Sequence, residues 1–371
     1  MKEFIKPDFN NNVLNISATL AEFLGVSNSI PTLDILKKEL NKNYKNIVYI
    51  CFDGLGVNPL KKNLDEDNVL MNNIKQILTS TFPSTTTNAT NSLMTNTYPL
   101  THGWLGWSLY FSKLDRCIDI FLNRDSYSKE IVEINEEDSP IKVLDYYFYH
   151  TNSDYHVNSV FPIYVKVKDI ITNYPYDNTL KSLEENILSI CDKKDKQFVY
   201  AYCGEPDTTM HEYGVSSKEA KDKITQVLNC VENLVNKTQD TLFIISADHG
   251  QVDIEGYVEI YKDEEIMSML KTPPYLDARA VSFMVKEDYK NEFEKMFNEK
   301  YSEDFILYKT KDLVEQNYFG KGDKAYLLGD YIAIGTYTHK IMILSENSNY
   351  FKGHHTSLTE EMEVPLILIS N

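Results

Sequence analysis

The sequence predicts an α/β fold of three layers, with a mostly parallel central sheet covered by helices on both faces. Two observations predict it. Short apolar runs of strand length alternate along the chain with amphipathic helical stretches. Dense polar clusters follow directly on those runs, at the predicted carboxyl ends of strands, where open α/β sheets place their ligands.

The first run, Asn46-Ile47-Val48-Tyr49-Ile50-Cys51-Phe52, reads as a buried strand and ends in Asp53-Gly54. Leu180, Leu183, Ile187, Leu188 and Cys191 share one helical face. Phe198-Val199-Tyr200-Ala201-Tyr202-Cys203 reads as the next strand. Ala220, Ile224, Val227, Leu228, Val231, Leu234 and Val235 then recur at the helical period, and Ser216 with Glu219 has the form of a capping box. Thr241-Leu242-Phe243-Ile244-Ile245-Ser246 is another strand, running into Ala247-Asp248-His249-Gly250. Val364-Pro365-Leu366-Ile367-Leu368-Ile369 closes the series. Between about residues 260 and 345 a strand–helix–strand pattern suggests a small α+β inset inside one domain spanning 1–371.

Composition narrows the function. A chain of 371 residues with 42% hydrophobic residues can bury a sizeable core without disulfides. Its net charge of −18 argues against non-specific binding to nucleic acid or to an anionic membrane. Only three arginines occur, Arg116, Arg124 and Arg279. An anionic substrate would therefore find few guanidinium forks, and bound cations are the alternative source of positive charge. The five cysteines form no CxxC pair, which suggests a reducing, cytoplasmic setting. The first eight residues lack the apolar run of a signal peptide, and no stretch approaches the roughly 18 apolar residues of a membrane helix.

Four separated segments are dense in hard metal ligands: Asp53-Gly54, Asp207-Thr208-Thr209-Met210-His211, Asp248-His249-Gly250 and Gly353-His354-His355-Thr356. Each alone has an ordinary reading as a turn, a surface pair or a solvated loop. Together they fall at one predicted rim, and carboxylate oxygen combined with imidazole nitrogen suits zinc or manganese better than calcium or magnesium. A fifth segment, Thr81-Phe82-Pro83-Ser84-Thr85-Thr86-Thr87-Asn88, reads as a strand-to-helix junction. A hydroxyl there would lie among free N–H groups at the positive end of the helix dipole, next to a bound anion.

These five segments, in this order, resemble the alkaline phosphatase superfamily, and most closely its nucleotide pyrophosphatase/phosphodiesterase branch and the related bacterial proteins. The resemblance runs from about residue 46 to the C-terminus and is weakest in the inset. It implies a three-layer α/β/α fold and two divalent metal ions, zinc first and manganese second. One metal would take Asp207, His211 and His355, with His354 as the alternative to His355, since Thr356 replaces the usual glycine. The other would take Asp53, Asp248 and His249, with the nucleophilic hydroxyl between them.

Two threonines compete for that role. Thr81-Phe82-Pro83 matches the eukaryotic motif. Counting back from Thr95-Asn96, Tyr98-Pro99 and His102-Gly103 instead selects Thr86, as in bacterial relatives with Phe-Pro-Ser-Thr-Thr. The implied activity is a phosphodiesterase or nucleotide pyrophosphatase acting on a small phosphorylated substrate. Phosphomonoesterase, phosphonate hydrolase and phosphomutase are alternatives, and a non-catalytic metal-binding protein is a further one. Two departures bear on a nucleotide: Thr87 stands where an aromatic often follows the nucleophile, and Trp107 stands where an asparagine binds phosphate. Trp104 and Trp107 are the substrate-binding candidates in its place.

Overall fold

The computed structural model describes residues 2–135, 137–141 and 143–371. The predicted strands assemble into a seven-stranded sheet. Its spatial order is 74–79, 363–370, 241–246, 46–52, 197–203, 156–160 and 172–173. Asn46–Phe52 lies at the centre, parallel to both 197–203 and 241–246, and every one of its residues is buried. Burial on both faces explains why these segments read as continuous apolar runs. The final strand, Glu363–Ser370, is antiparallel to both of its neighbours and is the one reversal in a sheet that otherwise runs a single way.

Helices cover the sheet in two groups. Val13–Phe23 packs on Asp34–Leu40 and Thr86–Thr95, and Leu180–Cys191 packs on Lys218–Lys237. Both groups bury apolar faces in the same core as the strands, including Ile16, Leu20, Leu183, Ile187, Ile224 and Val231. The long helix begins one residue later than the capping box suggested. Ser217 is its cap, accepting from the Ala220 N–H at 3.0 Å. Ser216 is taken instead by Asp253, which accepts its N–H at 3.0 Å and its hydroxyl at 2.5 Å.

A second, antiparallel sheet lies beside the first, with the order 305–309, 331–335, 280–283, 275–276, 108–111, 116–119 and 124–125. The stretch 260–345 supplies four of its strands and the helix Lys290–Tyr301, whose Phe293 and Phe297 pack on Phe283. The other three strands come from 108–125.

One buried ion pair ties this sheet to the C-terminal loop. Arg279 and Glu361 are both fully buried, with Nε 3.1 Å from Oε1. The guanidinium also donates to the carbonyls of Lys340 and Thr336 and to Thr359 Oγ1. Removing one member would strand the other charge out of water. Arg279→Met is therefore expected to cost about 3–5 kcal/mol, read by denaturant unfolding, and adding Glu361→Leu should restore much of it.

Candidate active site and metal centre

Three adjacent parallel strands deliver the first three ligand segments. Cys51, Tyr202 and Ser246 are paired across the sheet, so Asp53, Asp207 and Asp248 all emerge at the same end. Asp207 and His211 lie one turn apart on the helix Asp207–Tyr213, and their side chains meet, with Nε2 to Oδ2 at 3.4 Å. His355 arrives from the chain after Gly353–His354, a short strand held antiparallel against Val252–Asp253.

The six predicted ligands converge. Ligand atoms of Asp53, Asp248 and His249 lie within 4.8 Å of one another, as do those of Asp207, His249 and His355. His211 Nε2 lies 3.2 Å from His355 Nε2. Each of these three histidines turns its Nδ1 to a backbone carbonyl: His211 to Gly353 at 2.8 Å, His249 to Gly250 at 2.9 Å and His355 to Ser84 at 2.9 Å. A carbonyl only accepts, so Nδ1 carries the proton and Nε2 offers a lone pair inward. Two lone pairs facing each other at 3.2 Å cannot share a hydrogen bond; a cation fits there.

Electrostatics agree. Burial, then the neighbouring charges of Asp248 and Asp207, push the Asp53 carboxyl well above the usual range. Burial likewise raises Asp248, whose Oδ2 is buried without a hydrogen-bond partner. Burial and the adjacent imidazoles hold His355 far below its ordinary value, in the neutral form that binds metal. Bound cations would relieve the repulsion among the carboxylates and satisfy the orphaned oxygen.

Thr86 opens the helix Thr86–Thr95 and faces this cluster. Its hydroxyl lies 3.1 Å from His249 Nε2 and 3.3 Å from both Asp53 oxygens. Thr85, the residue at the cap, does not cap the helix, because its hydroxyl turns to Asp277 at 3.3 Å. Thr81 is fully buried, its hydroxyl without a partner among the described residues, and it is not part of the cavity wall. A run this rich in Thr and Asn is a poor helix by propensity. Tertiary burial holds it, and the Thr90 hydroxyl is satisfied locally, donating to the Thr86 carbonyl at 2.6 Å.

The cluster opens into a cavity of about 980 Å³. Trp107 is on its wall and 38% exposed. Trp104 is not: it is partly buried in the second core, with its ring 5.4 Å from Phe121. Thr87 is fully buried and absent from the wall. His354 points to Asp277, with Nε2 to Oδ1 at 3.6 Å, while its Nδ1 accepts the N–H of His355 at 2.8 Å.

The family model described as type I phosphodiesterase/nucleotide pyrophosphatase matches residues 47–357. The chain belongs to that family. Its fold is that of the alkaline phosphatase superfamily, to which the family belongs. A rat protein, ectonucleotide pyrophosphatase/phosphodiesterase family member 7, is 30% identical over 91 residues, 23% of this chain and 21% of the relative. That alignment thus spans about a fifth of the relative's length. Among solved structures, murine ectonucleotide pyrophosphatase/phosphodiesterase 5 superposes with a TM-score of 0.64 at 17% identity, covering 88% of both chains. Phosphonoacetate hydrolase from Sinorhizobium meliloti 1021, in complex with phosphonoacetate, gives a TM-score of 0.61 at 13% identity, covering 86% of this chain and 89% of that one.

In this family member, several residues at the site carry no sequence signal of their own. Tyr202, deep in an apolar strand, donates its hydroxyl to Asp53 Oδ2. Gln251 donates to the Asp207 carboxylate and, at 3.1 Å, to its backbone carbonyl. Asp277, with its carboxyl pushed up to about 7 chiefly by burial, comes from the second sheet. Nothing in the sequence links Asp277 to Thr85, 192 positions away.

Proposed function

We propose that the chain is a metal-dependent phosphodiesterase or nucleotide pyrophosphatase-type hydrolase with Thr86 as nucleophile and two divalent cations, zinc first and manganese second. Asp207, His211 and His355 would hold one cation, and Asp53, Asp248 and His249 the other. The observation that carries this reading is the Thr86 hydroxyl, set at a helix start within 3.3 Å of two ligands of the second group.

When bound, the cations would lower the pKa of that hydroxyl and neutralise charge on the reacting phosphoryl group. Thr86 Oγ1 attacks phosphorus in line and the leaving oxygen departs. Water then cleaves the phosphothreonine and restores the hydroxyl. The uncapped helix start offers N–H groups to the phosphoryl oxygens. Tyr202 and Gln251 orient Asp53 and Asp207.

The substrate is a small phosphorylated molecule, and a nucleotide is one form it could take. A phosphonate hydrolase is the second reading, favoured by the buried Thr87, which leaves no aromatic platform beside the nucleophile. Residues 1–371 act as one catalytic domain with 260–345 as its subdomain. Five buried free cysteines support a reducing, cytoplasmic setting, and the charge of −18 disfavours nucleic acid and anionic membranes as partners.

The test is a panel of bis(p-nitrophenyl) phosphate, p-nitrophenyl phosphate and an aryl phosphonate ester, run on metal-depleted protein before and after adding zinc or manganese. Metal-restored cleavage, fastest on the diester, is expected. No cleavage of any substrate by the loaded protein would reject the reading.

A further inference from the structure

The cavity extends well beyond Thr86, and the second sheet supplies its floor. Leu276 pairs with Ser108, Ser108 with Asp119, and Asp119 with Arg124. Directly opposed residues point to the same face of a sheet. All four side chains accordingly line the cavity. The row starts one residue before Asp277, the carboxylate that accepts the Thr85 hydroxyl next to the nucleophile. Three strand spacings of about 4.8 Å place Arg124 roughly 14 Å along the floor from that end.

The far end of the row is a prepared cationic fork. The Asp119 carboxylate, 2% exposed, accepts from Arg124 Nε at 2.8 Å. That bond fixes the guanidinium by its inner edge. Among the described residues its two terminal nitrogens have no hydrogen-bond partner, and the side chain is 30% exposed, on the cavity wall. Lys129, also on the wall, sends its ammonium to 3.6 Å from the same carboxylate. Two cations thus share one buried anion. Of the other arginines, Arg279 is spent on Glu361 and Arg116 faces Asp125 and Glu130 at 3.7 and 3.8 Å. In so acidic and arginine-poor a chain, this is a concentrated outlay of positive charge on the wall of the cavity that holds Thr86.

We propose that Arg124 and Lys129 form a second anion subsite, so that the substrate is an elongated phosphoester or phosphonate carrying a further carboxylate or phosphate at the end remote from the reacting phosphorus. The free edge of a guanidinium matches either anion through two parallel hydrogen bonds. Trp107, Phe121 and Leu122, exposed beside it on the same wall, would cover the apolar stretch between the two anions.

This inference rests on the active site proposed above, so its test separates the two. Zinc-loaded protein is titrated with non-hydrolysable alkylphosphonates of increasing chain length, in three sets: plain, ω-carboxylated and ω-phosphonylated. Binding is read by calorimetry and by intrinsic tryptophan fluorescence, to which Trp107 on the cavity wall and Trp104 both contribute. At the best length, one of the charged sets should bind at least about tenfold more tightly than the plain set. Which set gains more distinguishes carboxylate from phosphate. The gain should vanish in Arg124→Gln, shrink in Lys129→Ala, and persist in Arg116→Ala, whose guanidinium lies outside the cavity. Equal binding of charged and plain ligands at every length, or a gain that survives Arg124→Gln, would overturn the subsite. Cleavage of bis(p-nitrophenyl) phosphate, which carries no remote anion, reports separately on the catalytic reading.

Discussion

Replacing Thr86 with alanine is expected to lower turnover by at least about a thousandfold, the scale seen when a covalent nucleophile is deleted. The hydroxyl lies at the helix start, 3.1 Å from His249 Nε2 and 3.3 Å from both Asp53 oxygens. The substitution removes the attacking atom and one methyl group of a half-buried side chain, so thermal unfolding and metal content should stay near those of the parent. Thr81→Ala has a different signature. Thr81 is fully buried, away from the cavity, so its variant should shift stability modestly and leave turnover within about a few-fold. Acid quenching during turnover, followed by mass spectrometry, should place the trapped phosphate on Thr86. A phosphate on Thr81, or near-normal turnover in Thr86→Ala, would assign the nucleophile to the wrong threonine.

The second large effect concerns the first metal group. His211→Ala should reduce bound zinc from about two to about one ion per chain by elemental analysis, and lower activity by about a thousandfold. The variant removes one of the two imidazole nitrogens that face each other at 3.2 Å and frees Asp207 from its 3.4 Å neighbour. The fold should survive, because His211 is at the end of a short surface helix while the sheet beneath is closed by its own core. His354→Ala is the contrasting variant. His354 is directed at Asp277 and not at His211 or Asp207, so metal content should hold at about two ions per chain. Loss of metal in His354→Ala together with retention in His211→Ala would reverse the ligand assignment.

The central sheet was legible because its strands are buried on both faces, which leaves uninterrupted apolar runs such as Asn46–Phe52 and Thr241–Ser246. The ligand segments were legible for a related reason. Each charged cluster alone has an ordinary local reading, but Asp53, Asp207, Asp248 and His249 all fall within four residues of a strand end, and that shared placement singles them out. The cap at Ser216 was misplaced because two adjacent serines offer the same local chemistry. Only the approach of Asp253, distant in sequence, decides between them.

The sequence by itself determined the periodicities, the candidate ligand types and the order in which they occur, because those depend on neighbours within a turn or a strand. Tertiary structure alone decided everything that depends on register between distant strands. Tyr202 looks like one more core residue until the pairing of 46–52 with 197–203 brings its hydroxyl to Asp53. Trp104 and Trp107 lie three residues apart, yet one is partly buried against the second core and the other lines the cavity. Leu276, Ser108, Asp119 and Arg124 come from four different strands. They become the floor of one site only because antiparallel pairing sets directly opposed side chains on the same face of a sheet, a relation that no local pattern encodes.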